Sequence, residues 1–187
     1  MCPFCRALAP KTDEEAVQMN KKRVEVGDAQ AIEQLGSCYY EGIAGLPQDL
    51  DKALELWHQA AELDCAKAYF SIGNAYYHGR GVERDEKKAI HYWELAAAGG
   101  VAQASHNLGC LDSKTGNYDR AIKHFNISVR SGHNRTLKTI QQLYSNGRAT
   151  KDDYAKALRA YQSYLSEIKS DGRDKAAAHH DSFKYYE

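Results

Sequence analysis

A ladder of small residues and rings, repeated along the chain, constrains its fold more than any other feature. Set in register, four segments begin at Asp28, Cys65, Val101 and His133, with successive starts 37, 36 and 32 residues apart. Ala31, Ala68 and Ala104 coincide, as do Leu35, Ile72 and Leu108, and then Gly36, Gly73 and Gly109. Further on, Ala53, Ala89, Ala121 and Ala157 coincide, and a large ring follows each by four residues, at Trp57, Trp93, Phe125 and Tyr161. A period of this length marks one supersecondary unit copied in tandem, whose apolar face is buried only by stacking on its neighbours.

Each unit predicts two helices. Ala31, Leu35 and Tyr39 recur at four, and Ala53, Leu56, Trp57, Ala60 and Ala61 at three and four, which is the amphipathic helical period. Gly79 and Gly81 supply a turn between the helices, and Asp85 stands where an N-cap would open the second one. A glycine inside a helix costs about 1 kcal/mol relative to alanine, so Gly36 and Gly73 predict positions where a facing helix comes close. The expected fold is therefore all-α, a solenoid of antiparallel helix pairs occupying 28–64, 65–100, 101–132 and 133–168.

The flanks carry their own signals. Residues 12–27 predict a capping helix over the first face of the stack, with Thr12 or Asp13 as cap, Glu14 and Glu15 in the first turn, and Ala16, Val17, Met19, Val24 and Val26 as apolar contacts. Residues 169–187 predict a tail or cap whose Phe183, Tyr185 and Tyr186 either fold back on the last pair or stay mobile.

Charge names no partner. Lys+Arg 25 balance Asp+Glu 25, which argues against nucleic acid as a ligand, and Lys21, Lys22 and Arg23 are the longest basic run. No apolar stretch approaches the roughly 18 residues of a membrane helix, and the N-terminal residues lack the apolar core of a signal peptide. Five cysteines, of which Cys38, Cys65 and Cys110 are scattered in helical contexts, do not form an extracellular disulfide pattern, so an intracellular protein, cytoplasmic or nuclear, is expected. His58, His78, His91 and His124 fall at helical positions as packing residues, and the adjacent His179 and His180 could hold a metal only loosely, since two neighbouring side chains rarely point at one ion; no metalloprotease, nucleophile-elbow or phosphate-loop motif occurs. No catalytic residue is expected.

From Ala66 to Ala97 the pattern A-x-A-x-x-x-I-G-x-x-Y-Y-x-G-x-G-V-x-x-D-x-x-K-A-x-x-x-W-x-x-A-A resembles the Sel-one-like repeat, a relative of the tetratricopeptide repeat. The likeness runs from about Gly27 to Ile168; the third unit has a shorter inter-helix loop, and the fourth replaces the Leu-Gly pair by Ile140 and Gln141, as an end cap would. The resemblance implies a right-handed superhelix serving as a noncatalytic scaffold, which binds a peptide or helix of a partner protein in its concave groove. Secreted Sel-one-like proteins linked to hydrolase activity carry a disulfide in each repeat, a spacing absent here.

In tandem helix pairs the first helices line that groove, so its candidate residues are those not spent on the core: Glu33, Ser37 and Tyr40; Lys67, Phe70, Asn74, Tyr77 and His78; Gln103, His106 and Cys110. Tyr40, Phe70 and Tyr77 are expected on the solvent side as ring anchors, against packing between repeats as the alternative, and the Asn74 amide as a clamp that donates to and accepts from a peptide backbone.

The opening Cys2-Pro3-Phe4-Cys5-Arg6 is half of a metal site or a redox pair. A thioredoxin-like role needs a strand-to-helix junction that the pattern does not supply. The segment resembles the closing C-P-x-C pair of a RING finger, residues 1–11 of the chain, together with the arginine that contacts ubiquitin at a conjugating enzyme. The six ligands that would precede Cys2 are not in the sequence. Three readings stay open: a piece of a longer ubiquitin ligase that selects substrate with its repeats, a remnant without metal, or two ligands of a site shared between chains. Zinc at Cys2 and Cys5 requires ligands from elsewhere, so the isolated chain should purify without stoichiometric zinc. One equivalent by elemental mass spectrometry, lost in Cys2→Ser/Cys5→Ser, would establish a completed site instead.

Overall fold

The computed structural model describes residues 13–168. Among them every element is helical: α1 Asp13–Glu25, α2 Ala29–Glu41, α3 Leu50–Glu62, α4 Ala66–His78, α5 Glu86–Ala98, α6 Ala102–Lys114, α7 Tyr118–Arg130, α8 Asn134–Ser145 and α9 Lys151–Ile168. They form two compact units that divide after Val101, α1–α5 and α6–α9. The expected cap at Thr12, the side chains of residues 13–16, the Cys2/Cys5 pair and the tail from 169 lie outside the described residues.

In the first unit, α2 pairs with α3 and α4 with α5, and α1 lies against α2. Each pair closes at one point. A Cβ added at Gly36 would lie 2.7 Å from the Trp57 ring and 3.1 Å from the Ala53 carbonyl; at Gly73 it would lie 2.6 Å from the Trp93 ring and 3.2 Å from the Ala89 carbonyl. The glycines thus have no alternative, and the helix-propensity cost of each is offset by the approach it permits. Both indoles are almost wholly buried, and both N–H groups are satisfied: Trp57 Nε1 donates to the Glu33 carbonyl at 3.2 Å, and Trp93 Nε1 to Asn74 Oδ1 at 3.1 Å.

Helix ends follow the residues that terminate them. Asp28, Asp49 and Asp85 cap α2, α3 and α5, each accepting backbone N–H bonds from the first turn. Gly42 and Gly79 end α2 and α4 at φ 67 and 68, a left-handed conformation that costs a Cβ-bearing residue. On α1, Val17 is buried and Val24 packs on the core, seven residues apart on one face. Met19 and Val26 depart from expectation, being 41% and 82% exposed: Met19 sits about half a turn away from that face, and Val26 lies beyond the end of the helix.

The second unit repeats the lock once. A Cβ at Gly109 would lie 2.6 Å from the Phe125 ring and 3.1 Å from the Ala121 carbonyl, and Phe125 is fully buried. Three residues, 115–117, join α6 to α7, where seven, 79–85, join α4 to α5. In the last pair Ile140 keeps the buried ladder position, but Gln141 replaces the glycine and is exposed, and Tyr161 is only half-buried. A side chain at 141 prevents the close approach that would enclose the ring.

A second interaction recurs beside the lock. The cation just before each ladder alanine meets the residue three after the glycine: Lys52 lies 4.6 Å over Tyr39 and Lys88 5.0 Å over Tyr76. In the third repeat both partners change, and Arg120 pairs with the buried Asp112 at 2.8 Å.

Trp93→Ala should cost about 3–5 kcal/mol, and Gly73→Ala, despite its better helix propensity, about 1–2 kcal/mol. Both tryptophans lie in the first unit, so urea unfolding followed by indole fluorescence reports on it; an unchanged midpoint for either variant would refute the lock.

Candidate binding surface

Helix phase, about 100° per residue, divides each first helix relative to its glycine. The residues six and two before, and one and five after, fall on one stripe turned away from the lock. On α2 these are Gln30, Gln34, Ser37 and Glu41, and on α4 Lys67, Ser71, Asn74 and His78. In the second unit they are Gln103, Asn107, Cys110 and Lys114 on α6. All twelve are exposed or half-buried, and none is a large apolar residue. Of the expected groove residues, Ser37, Lys67, Asn74, His78, Gln103 and Cys110 lie on this stripe. Sequence reasoning missed Gln30, Gln34, Glu41, Ser71, Asn107 and Lys114, which the glycine register identifies.

The remaining candidates sit on the rim, three before or four after the glycine. Tyr40 and Tyr77 were expected on the solvent side without core duty. Instead each half-buried ring packs on the indole of its own repeat, at 5.0 Å from Trp57 and 5.0 Å from Trp93, and Arg80 covers Tyr40 at 3.9 Å. Burial pushes the Tyr40 hydroxyl above its usual pKa. Phe70 is half-buried at the rim position of α4. Glu33 is buried, 8% exposed, because its carboxylate accepts from Ser37 Oγ at 2.9 Å and from Ser71 Oγ on the next first helix at 3.3 Å. Asn74 Oδ1 accepts from the Trp93 indole N–H, so its side chain serves the core as well as the stripe.

In the second unit the rim residue is His106, and it enters a polar cluster. Its Nδ1 lies 2.9 Å from Thr136 Oγ1, which also meets His133 Nδ1 at 2.6 Å and Ser128 Oγ at 2.9 Å. His106 Nε2 lies 3.4 Å from Cys110 Sγ. Thr136 and Ser128 are fully buried. Burial first, then the nearby His133 and Arg135, pulls His106 from an ordinary 6.5 to about 4; burial and Arg135 lower His133 as well. Burial raises the Cys110 thiol. A neutral imidazole beside a protonated thiol is the reverse of an activated thiolate pair.

No group of three or more His, Cys, Asp or Glu side chains that could hold a metal ion exists among the described residues. Among the same residues no helix is long and apolar enough to cross a membrane.

These features define a class: a solenoid of tandem helical hairpins. A Sel1 repeat model matches residues 29–65, 66–101 and 102–133, more than half of the chain, and the chain belongs to the Sel1 repeat family. The pair α8/α9 lies wholly outside the matched residues. The crystal structure of a Sel1 repeat protein from Oxalobacter formigenes is similar with TM-score 0.69 and 26% identity, over 84% of this chain and 65% of that one. The ERAD-associated E3 ubiquitin-protein ligase component HRD3B of Arabidopsis thaliana is 32% identical over 60% of this chain and 18% of its own length. An uncharacterized protein of Neisseria meningitidis serogroup B is 32% identical over 98% of this chain and 38% of its own length. The chain thus spans well under half of these two relatives.

Because the fold favours neutral His106, its contribution to stability is complete above pH 6.5 and declines as the pH falls from there toward 4. In an NMR titration the His106 ring should titrate near 4, and His106→Gln should flatten the loss of thermal stability between pH 6.5 and 4. A midpoint near 6.5 would contradict the packing of this cluster.

Proposed function

We propose that the chain is a noncatalytic scaffold that binds a peptide or helix of a partner protein on the polar stripe of its first helices. The observation that carries this reading is the composition of the stripe in the first unit, where Gln30, Gln34, Ser37, Glu41, Lys67, Ser71, Asn74 and His78 combine amide, hydroxyl, carboxylate, imidazole and ammonium groups on neighbouring helices. A peptide backbone offers alternating donors and acceptors, and side chains of this kind pair with both. Rigid repeats hold such groups in fixed register, which lowers the ordering cost of binding. Cys38, Cys65 and Cys110 are free thiols, in keeping with a reducing intracellular compartment.

A second reading, the substrate-selecting part of a ubiquitin ligase that works with a ubiquitin-conjugating enzyme, draws support from Cys2-Pro3-Phe4-Cys5-Arg6 and from the likeness to HRD3B, itself by name a ligase component. Its first requirement is a completed zinc site at Cys2 and Cys5.

Selection of peptides from a displayed random library against the full chain tests the scaffold reading. Lys67→Ala/His78→Ala, at two exposed stripe positions, should weaken the selected peptides about fivefold or more without changing the melting temperature. Peptides that all bind this variant normally would overturn it.

A further inference from the structure

The second helices of the second unit carry a cleft outside the stripe. Between α7 and α9 lies a space of about 530 Å³, lined by Asn126, Arg130, Lys156, Arg159, Tyr164 and Glu167 among others. That volume falls in the range of about 300–1,000 Å³ usual for ligand clefts. One wall is fixed by packing. The Tyr164 ring lies directly on Gly132, where any side chain would run into it, and stacks on Tyr161 at 6.3 Å between centroids.

The charges of the cleft are unbalanced, with three cations against one carboxylate. Lys156 is paired with Asp152 at 2.7 Å, whereas Arg130 and Arg159 make no ion pair among the described residues. Guanidinium groups present a planar fork of donors that fits a carboxylate with two parallel hydrogen bonds. Beside them stand an amide able to pair with a peptide backbone, Asn126, and an apolar ring wall, Tyr164. A continuous phosphate backbone fits less well, because Glu167 interrupts the cations and the chain as a whole is neutral.

We propose that this cleft is a second docking site, for a short acidic segment of a partner protein whose carboxylates pair with Arg130 and Arg159. It is separate in residues and in chemistry from the stripe, and each can fail without the other.

The test is fluorescence anisotropy of the full chain with a labelled ten-residue peptide of alternating Glu and Ser around a central Phe, at low salt. Saturable binding that weakens with added salt is expected. Arg130→Gln/Arg159→Gln should weaken it about tenfold, and Glu167→Gln should strengthen it about twofold. An unchanged melting temperature in both variants separates these losses from misfolding. Lys67→Ala/His78→Ala should leave the affinity unchanged. The proposal is overturned by no saturable binding, by binding indifferent to the arginine substitutions, or by loss of binding in Lys67→Ala/His78→Ala. It is also overturned if a thirty-nucleotide oligothymidine binds more tightly than the peptide through the same arginines, which would make the ligand a nucleic acid.

Discussion

The contact of a ring edge with a glycine backbone on the facing helix governs the repeats of this protein. It occurs at Gly36 with Trp57, at Gly73 with Trp93 and at Gly109 with Phe125, each time with the carbonyl of the ladder alanine close by. Because the ring reaches the partner backbone itself, the two helices of a pair have little freedom to rotate or slide against one another. The phase of the first helix is then set, and with it the direction in which every other side chain points. A polar stripe turned away from the glycine follows from that phase.

The ladder was readable because its residues recur and because burial demands them. Ala31, Leu35, Ala53 and Trp57 are buried in the first pair, and their counterparts are buried in the next two. What the sequence could not show is the rim. Whether the position three before the glycine faces solvent depends on where the neighbouring repeat lies, which no helical wheel contains. Glu33 meets Ser71, 38 residues away, and His106 meets Thr136, 30 residues away. Tyr40 and Tyr77 posed a related difficulty: periodicity places them off the core line, but an indole is wide enough for a neighbouring ring to rest on it. The exchange of Lys-Tyr for Arg-Asp between repeats was present in the sequence as a matched change at two aligned positions, and it became interpretable only once the contact was known.

The cluster around Thr136 illustrates how a buried polar group stays affordable. A hydroxyl has one proton and two lone pairs, and Thr136 Oγ1 has three close partners. At most one of them can accept from it, so at least one of the two imidazoles must carry its proton on Nδ1. Placed on His106, that proton leaves Nε2 to receive the Cys110 S–H, and every member of the chain of bonds is satisfied. Such complete pairing in a dry setting favours a single arrangement and penalises an added charge.

The glycine lock draws both of its parts from one repeat, while the bonds of Glu33 to Ser71 and of His106 to Thr136 draw theirs from two. Tandem duplication of such a segment therefore copies a hairpin that is already internally complete, and a new copy inherits its geometry at once. The junction is what evolution must fit afresh. Pairs such as Glu33 with Ser71 act as joinery between particular neighbours, so reordering or deleting repeats would disturb the seams and leave each hairpin intact.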